Sequence, residues 1–171
     1  MTIARMTEAD AQGVHDFLAN LFQQDAETGG VDAPSVDLLA AQVKDGVPTW
    51  VAVEAGKVIG VLGPEMRGVR RMPDGTLRTF SFFNRLAVDY TLYKTSRREA
   101  IRVARELTLA AANDLQANPP DDIRVQGPTG SRGASWCRLL KFDETVQGGS
   151  SEFWLPFKSI WERCKGTETI R

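Results

Sequence analysis

Histidine and cysteine are scarce in this chain. His15 stands alone, and Cys137 and Cys164 are the two thiols among 171 residues. Neither cysteine has a partner at ligand-like spacing, which argues against a zinc site, and no metal is expected. The same sparsity reads as a reducing, cytoplasmic compartment. Long apolar runs are missing too: nothing approaches the roughly 18–20 residues of a membrane span. The opening MTIARMTEAD has no basic segment leading into an apolar one, so no secretory signal is expected. Nor does one sign of charge prevail. A formal net charge of −1 speaks against a dedicated nucleic-acid binder, which is usually strongly basic. There is no internal repeat and no low-complexity tract.

What is present is periodicity. Ile3 to Met6 reads as a first strand, and Thr7 with Asp10 as a relative of the capping box. Ala11, Val14, Phe17, Leu18, Leu21 and Phe22 then recur at helical spacing up to a stop at Glu27-Thr28-Gly29-Gly30. A shorter helix spans Ser35 to Lys44, with Gly46 just beyond it. Trp50 to Val53 and Lys57 to Leu62 flank a turn at Glu54-Ala55-Gly56. Residues 64–72 read as basic and irregular, Pro73-Asp74-Gly75 as a turn, and Thr76 to Val88 as one central strand. Beyond a long helix ended by Asn118-Pro119-Pro120 come a strand from Asp122 to Gln126 and a loop at Gly127-Pro128-Thr129-Gly130. A helix over 132–140 and a closing hairpin around Gly148-Gly149 follow. In the tail, Ile160, Trp161 and Cys164 keep helical spacing. The order β-α-α-β-β-β-α-β-α-β-β predicts an α/β domain with helices on both faces of a mixed central sheet.

The junction LAVDYTLYKTSRREA, Leu86 to Ala100, is the most informative stretch. An apolar strand ends at Asp89, a basic turn without glycine follows, and Ser96 with Glu99 has capping-box spacing, which starts the long helix near Arg97. A helix N-terminus presents unpaired N–H groups and the positive end of the dipole, which together suit an anion. Lys94, Arg97 and Arg98 add charge there, and the hydroxyls of Thr95 and Ser96 add donors. A capped helix with solvated cations is the plainer reading. Cations at that end oppose the dipole, however, so an idle cluster is slightly unfavourable.

Three stretches in this order resemble the GNAT superfamily of acyl-CoA-dependent N-acyltransferases, over roughly residues 2–157. TWVAVEAGKVIGVLG is similar to the family's second and third strands. LAVD with its turn and long helix is similar to the fourth strand and pyrophosphate loop. GASWCRLLKFDETV is similar to the A-x-x-x-Y-x-x-x-G-F segment. The resemblance implies a GNAT-like domain over 1–157, a tail over 158–171, and acetyl-CoA as co-substrate without a metal. It further implies acyl transfer to a small-molecule or protein amine. Backbone groups of Leu86, Ala87 and Val88 would bond the pantetheine arm as an added strand, and Lys94, Thr95, Ser96, Arg97 and Arg98 would hold the pyrophosphate.

This chain departs from the family pattern at its chemistry. YKTSRREA lacks the glycines of the family's R/Q-x-x-G-x-G/A loop. The position of the family's acid tyrosine is Cys137, which is either a proton donor or a small buried hydrophobe. No glutamate lies in FSFFNRLAVD, so Glu65 is the nearest candidate base, with a solvated loop residue as its alternative. Asn84 can orient a substrate or water. His15 reads as a surface or partly buried residue, and Gly29-Gly30 lies where relatives bind the acceptor. Two rival readings follow from the departures. One is a degenerate, inactive member serving as a structural or interaction component, for example a phage virion protein, docking through Trp154, Phe157, Ile160 and Trp161. The other is an anion or nucleic-acid module built on Arg67, Arg70, Arg71 and Arg78. A membrane role is not expected.

Overall fold

The computed structural model describes residues 1–24 and 32–170. In chain order the elements are β1 (Thr2–Arg5), α1 (Ala11–Gln24), α2 (Val36–Lys44), β2 (Trp50–Glu54), β3 (Lys57–Leu62), β4 (Glu65–Arg71), β5 (Leu77–Phe83) and β6 (Leu86–Val88). Then come α3 (Tyr90–Thr95), α4 (Arg97–Leu115), β7 (Asp122–Pro128), α5 (Arg132–Leu139), β8 (Asp143–Gln147), β9 (Ser150–Pro156) and α6 (Ile160–Lys165). The caps follow the sequence. Asp10 accepts from both the N–H and the hydroxyl of Thr7 at 2.7 Å, Ser35 accepts from Leu38 N–H, and Ser131 from Ala134 N–H. The stop at Glu27-Thr28-Gly29-Gly30 lies outside the described residues.

The strands form two sheets, ordered β1-β2-β3-β6 and β4-β5-β7-β9-β8. Every pairing is antiparallel except that of β5 with β7. The two sheets share a pair of strands that run on across a break. β4 continues β3 beyond the cis Gly63–Pro64 bond, and β6 continues β5 beyond Asn84 and Arg85. Gly63 N–H donates to the Arg85 carbonyl at 2.8 Å and Asn84 N–H to the Pro64 carbonyl at 3.2 Å, stitching the two breaks together. The expected single strand over 76–88 is thus two, and the expected irregular stretch at 64–72 is the regular strand β4. Its alternation was hidden because Arg67, Val69 and Arg71 are all exposed on a strand at the edge of its sheet.

Helices cover both faces. α4 lays Val103, Leu107, Ala111 and Leu115 against Trp50, Leu62, Phe83, Ile123 and Leu155. α1 and α2 lay Val14, Leu18, Leu21 and Leu39 against Val51, Val61 and Ala87 on the opposite face. Contact between β3 and α4 depends on Gly60: a Cβ there would stand 2.7 Å from Val103 and 2.9 Å from Leu107. Gly60→Val is therefore expected to cost about 3 kcal/mol, lowering Tm by about 6–12 °C in a thermal melt.

Two expected interaction surfaces are consumed by the fold. The tail packs on its own domain: Phe157, Ile160 and Cys164 are buried, and Trp161 Nε1–H donates to Asn113 Oδ1 at 2.9 Å. Its apolar face is therefore covered by α4 and is not free for a partner. The arginine hairpin is largely engaged in ion pairs. Asp122, buried on β7, accepts from Arg78 Nε at 2.8 Å and from Arg70 Nη2 at 3.1 Å, while Arg67 pairs with Glu65 at 2.7 Å. Arg70 also stacks 3.7 Å above the Trp154 ring. Three of its four guanidiniums are thus held by two carboxylates, Glu65 and Asp122, which reduces but does not cancel the charge the hairpin could offer nucleic acid.

Candidate active-site cleft

The site is a gap in the sheet. β7 pairs with β5 only from Asp122 to Val125. Past that point β6 and the outer end of β7 diverge and share no ladder. The cleft between them has a volume of ≈ 430 Å³ and is lined by both strands, by α4 from Arg97 to Leu115, and by the start of α5. Small residues keep it open: Ala100 and Ala104 form its α4 wall, Gly133 and Ala134 its α5 wall.

One wall is an open strand edge. Asp89 N–H donates to Ile59 and the Arg85 carbonyl accepts from Gly63, so residues 85, 87 and 89 address β3. Alternation then turns the N–H and C=O of Leu86 and Val88 toward the cleft. Ala87, expected to act with them, has its polar groups committed to Val61. An extended ligand arm can therefore add to this edge through Leu86 and Val88.

The mouth carries the charge. The expected basic turn is instead α3, begun by Asp89, which accepts from Leu92 N–H at 2.7 Å. This extra helix divides the expected cluster. Lys94 lies 4.5 Å over the Tyr90 ring, and the Thr95 hydroxyl donates to the Thr91 carbonyl at 2.9 Å. Ser96 accepts from Glu99 N–H at 3.4 Å and caps α4. Arg97 lines the cleft; Lys94, Thr95, Ser96 and Arg98 do not. On the facing side Arg132, in the first turn of α5, reaches 5.0 Å from the Tyr90 ring centre and 5.3 Å from that of Tyr93, spanning the mouth. Two helix N-termini and two guanidiniums thus converge on one opening. Arg132 was passed over in the sequence although its signal was there: GPTGSRGA joins a strand to a Ser-capped helix through a glycine-bearing turn.

The candidate acid and base are placed as follows. Cys137 lines the cleft but packs with Ala134 and Phe153 and is 2% exposed. Burial pushes its thiol up to about 12, far above the ordinary ~8.5. Passing that proton to a departing thiolate is uphill, and the buried side chain forms part of the cleft wall. Glu65 is neither in a loop nor solvated. It begins β4, is 5% exposed, accepts from the Ser81 hydroxyl at 2.6 Å, pairs with Arg67, and does not line the cleft. Among the described residues no carboxylate lines the cleft; Asn84 is exposed at its rim. His15 holds α1 to the chain before α2 through Nδ1–H to the Pro34 carbonyl at 2.8 Å. Gly29-Gly30 lies outside the described residues.

The chain as a whole has counterparts among solved structures. A ribosomal-protein-alanine N-acetyltransferase from Brucella melitensis superposes with a TM-score of 0.62 at 15% identity, covering 90% of this chain and 97% of that one. A GNAT-family acetyltransferase from Streptococcus pneumoniae gives 0.65 at 12%, covering 91% and 98%. A putative acetyltransferase from Salmonella typhimurium, solved with its cofactor acetyl-CoA, gives 0.64 at 15%, covering 91% and 93%. This chain has the GNAT fold. No family model and no curated protein matches its sequence. No described helix is long and apolar enough to cross a membrane, and no cluster of metal-binding side chains occurs among the described residues.

Proposed function

We propose that the chain is an acyl-CoA-dependent N-acyltransferase of the GNAT type. The observation that carries this reading is the open edge of β6 beside two N-terminal helix ends. An arm with alternating amides fits the edge, and a pyrophosphate fits the mouth. Acetyl-CoA supplies the activated thioester. Leu86 and Val88 hold the pantetheine arm by their N–H and C=O groups. The Leu86 N–H, next to the strand break, is placed to polarise the thioester carbonyl as negative charge develops on it. Arg97 and Arg132 hold the phosphates, with first-turn amides of α4 and α5 in place of the glycine-rich loop. Ala100, Ala104 and Cys137 shape the cleft and exclude water.

An acceptor amine must reach the thioester without its proton. With no carboxylate on the described cleft wall, that proton leaves to solvent, with Asn84 positioned to orient the amine. The reading therefore predicts kcat/KM rising about tenfold per pH unit up to the pKa of the acceptor's own amine, and shifting when acceptors of different basicity are compared. An inflection that stays at one pH whatever the acceptor would show that the protein supplies a base. The primary test is isothermal calorimetry with acetyl-CoA, followed by release of free CoA when amines are added. Absence of binding at high micromolar acetyl-CoA would sink the reading.

A further inference from the structure

The cleft holds one cation that the phosphate site does not use. Arg85 sits in the break between β5 and β6, lines the cleft, and is largely withdrawn from water. Its guanidinium lies 5.6 Å from the Phe22 ring on α1, and it has no carboxylate partner among the described residues. Burial alone lowers its pKa below the ordinary arginine value, with no acidic neighbour acting the other way. A desolvated guanidinium left in that state is unfavourable. Arg70 and Arg124, the arginines on the neighbouring strands that are most withdrawn from water, both have carboxylates.

Its position fixes what it meets. Leu86 and Val88 pack with the core on the α4 face, whereas Ala87 belongs to the α1 face. Arg85 shares the side of Ala87 and reaches Phe22 on α1. Arg97 opens α4, which covers the other face of the sheet, while Arg132 reaches the Tyr90 ring at the rim. The cleft is lined from both faces of the sheet, by Leu21, Phe22 and Arg85 on the α1 side and by Arg97, Ala100 and Ala104 on the α4 side, with Arg85 beside the strand break. An arm entering from the α4 side brings its thioester to the break, and the acceptor comes from the α1 side.

Resting on the acyltransferase reading, we infer that Arg85 binds an oxyanion carried by the acceptor, so that the substrate is an amine bearing a carboxylate or a phosphate. A planar guanidinium fork accommodates either group through paired N–H bonds and leaves the amine free to face the thioester. Phe22 flanks the guanidinium and excludes water from the pair.

The test compares matched acceptors. The twenty L-amino acids are assayed beside their α-amides, and O-phosphoethanolamine beside ethanolamine, by release of free CoA from acetyl-CoA. The anionic member of a pair is expected to be favoured roughly 10- to 100-fold in kcat/KM. That preference should vanish in Arg85→Met and survive in part in Arg85→Lys. Preference among amino acids or for the phosphoamine tells carboxylate from phosphate. Arg85→Met should also raise Tm by about 2–4 °C, because an unpaired buried charge is replaced by an apolar chain. Its acetyl-CoA affinity should stay as in the parent. Equal use of both members, or a preference unchanged in Arg85→Met, overturns the assignment. So does a fall in Tm in Arg85→Met, which would mark a structural partner. If acetyl-CoA binds and no anionic amine reacts, the acceptor inference fails while the donor site stands. If acetyl-CoA does not bind, the acyltransferase reading has failed first and takes the inference with it.

Discussion

Reversing Arg97 and Arg132 together, as Arg97→Glu with Arg132→Glu, is expected to weaken acetyl-CoA binding by at least about 100-fold while leaving Tm within a few degrees of the parent. Each guanidinium lies in the first turn of a helix whose amides face the same opening. A charge-assisted hydrogen bond to phosphate contributes about 1.5–3 kcal/mol. Losing two removes roughly 3–6 kcal/mol, and 1.4 kcal/mol is a factor of ten. The introduced carboxylates also repel the phosphates, so 100-fold is the lower end. Stability is spared because glutamate suits a first helical turn and because Arg97 is exposed.

Arg132 must leave its ring contacts to bind phosphate. Those contacts with Tyr90 and Tyr93, at 5.0 and 5.3 Å, contribute about 0.5–1 kcal/mol each at an exposed site. A charged hydrogen bond outweighs either ring contact taken alone. Arg98→Glu is the matching control: the side chain lies outside the cleft, and less than about a threefold change in Kd is expected from its screened charge. If calorimetry shows Arg98→Glu as damaging as the double reversal, the site is a diffuse basic face and the converging helix ends have no special part.

The sequence carried the architecture well where local chemistry and global packing agree. Ser35 and Ser96 cap the helices they were expected to start or precede, and the α4 stripe Ala100, Ala104, Leu107, Ala111, Leu115 is buried throughout. It was opaque where one residue type serves two purposes. The arginines of β4 read as a basic loop because their neutralising carboxylates, Glu65 and Asp122, come from a strand end and from another strand. Tyr90 to Thr95 read as a turn because helix α3 is a turn and a half long, too short for periodicity to register, although Asp89 at its cap was a visible start signal. The site was half legible. Leu86 and Val88 stood in a recognisable strand, but that it breaks at Asn84 and Arg85 depends on pairing with Gly63 and Pro64 across the sheet. For the same reason Arg85 has no signature of its own, being defined by missing partners, whereas Arg132 stands in a readable strand-turn-helix junction whose facing of α3 across the gap is not local.

Proline placed at Val88 tests the open edge most directly. The N–H of Val88 faces the cleft while those of Ala87 and Asp89 face β3. Val88→Pro therefore deletes a donor that the sheet does not use and sets the pyrrolidine ring into the space the arm would occupy. Proline is tolerated on such an edge when its nitrogen faces outward. Acetyl-CoA affinity should fall at least about 30-fold, from one lost hydrogen bond of about 1 kcal/mol and steric exclusion beyond it, with little change in Tm. Ala87→Pro should do the reverse in kind. Its ring would collide with Val61 and remove a ladder bond from a buried pairing, at about 3 kcal/mol or more, so that Tm falls by about 6–12 °C. Calorimetry and thermal melts on the two variants separate an edge that receives a strand from one that merely ends a sheet: if Val88→Pro binds acetyl-CoA like the parent, no arm lies along β6.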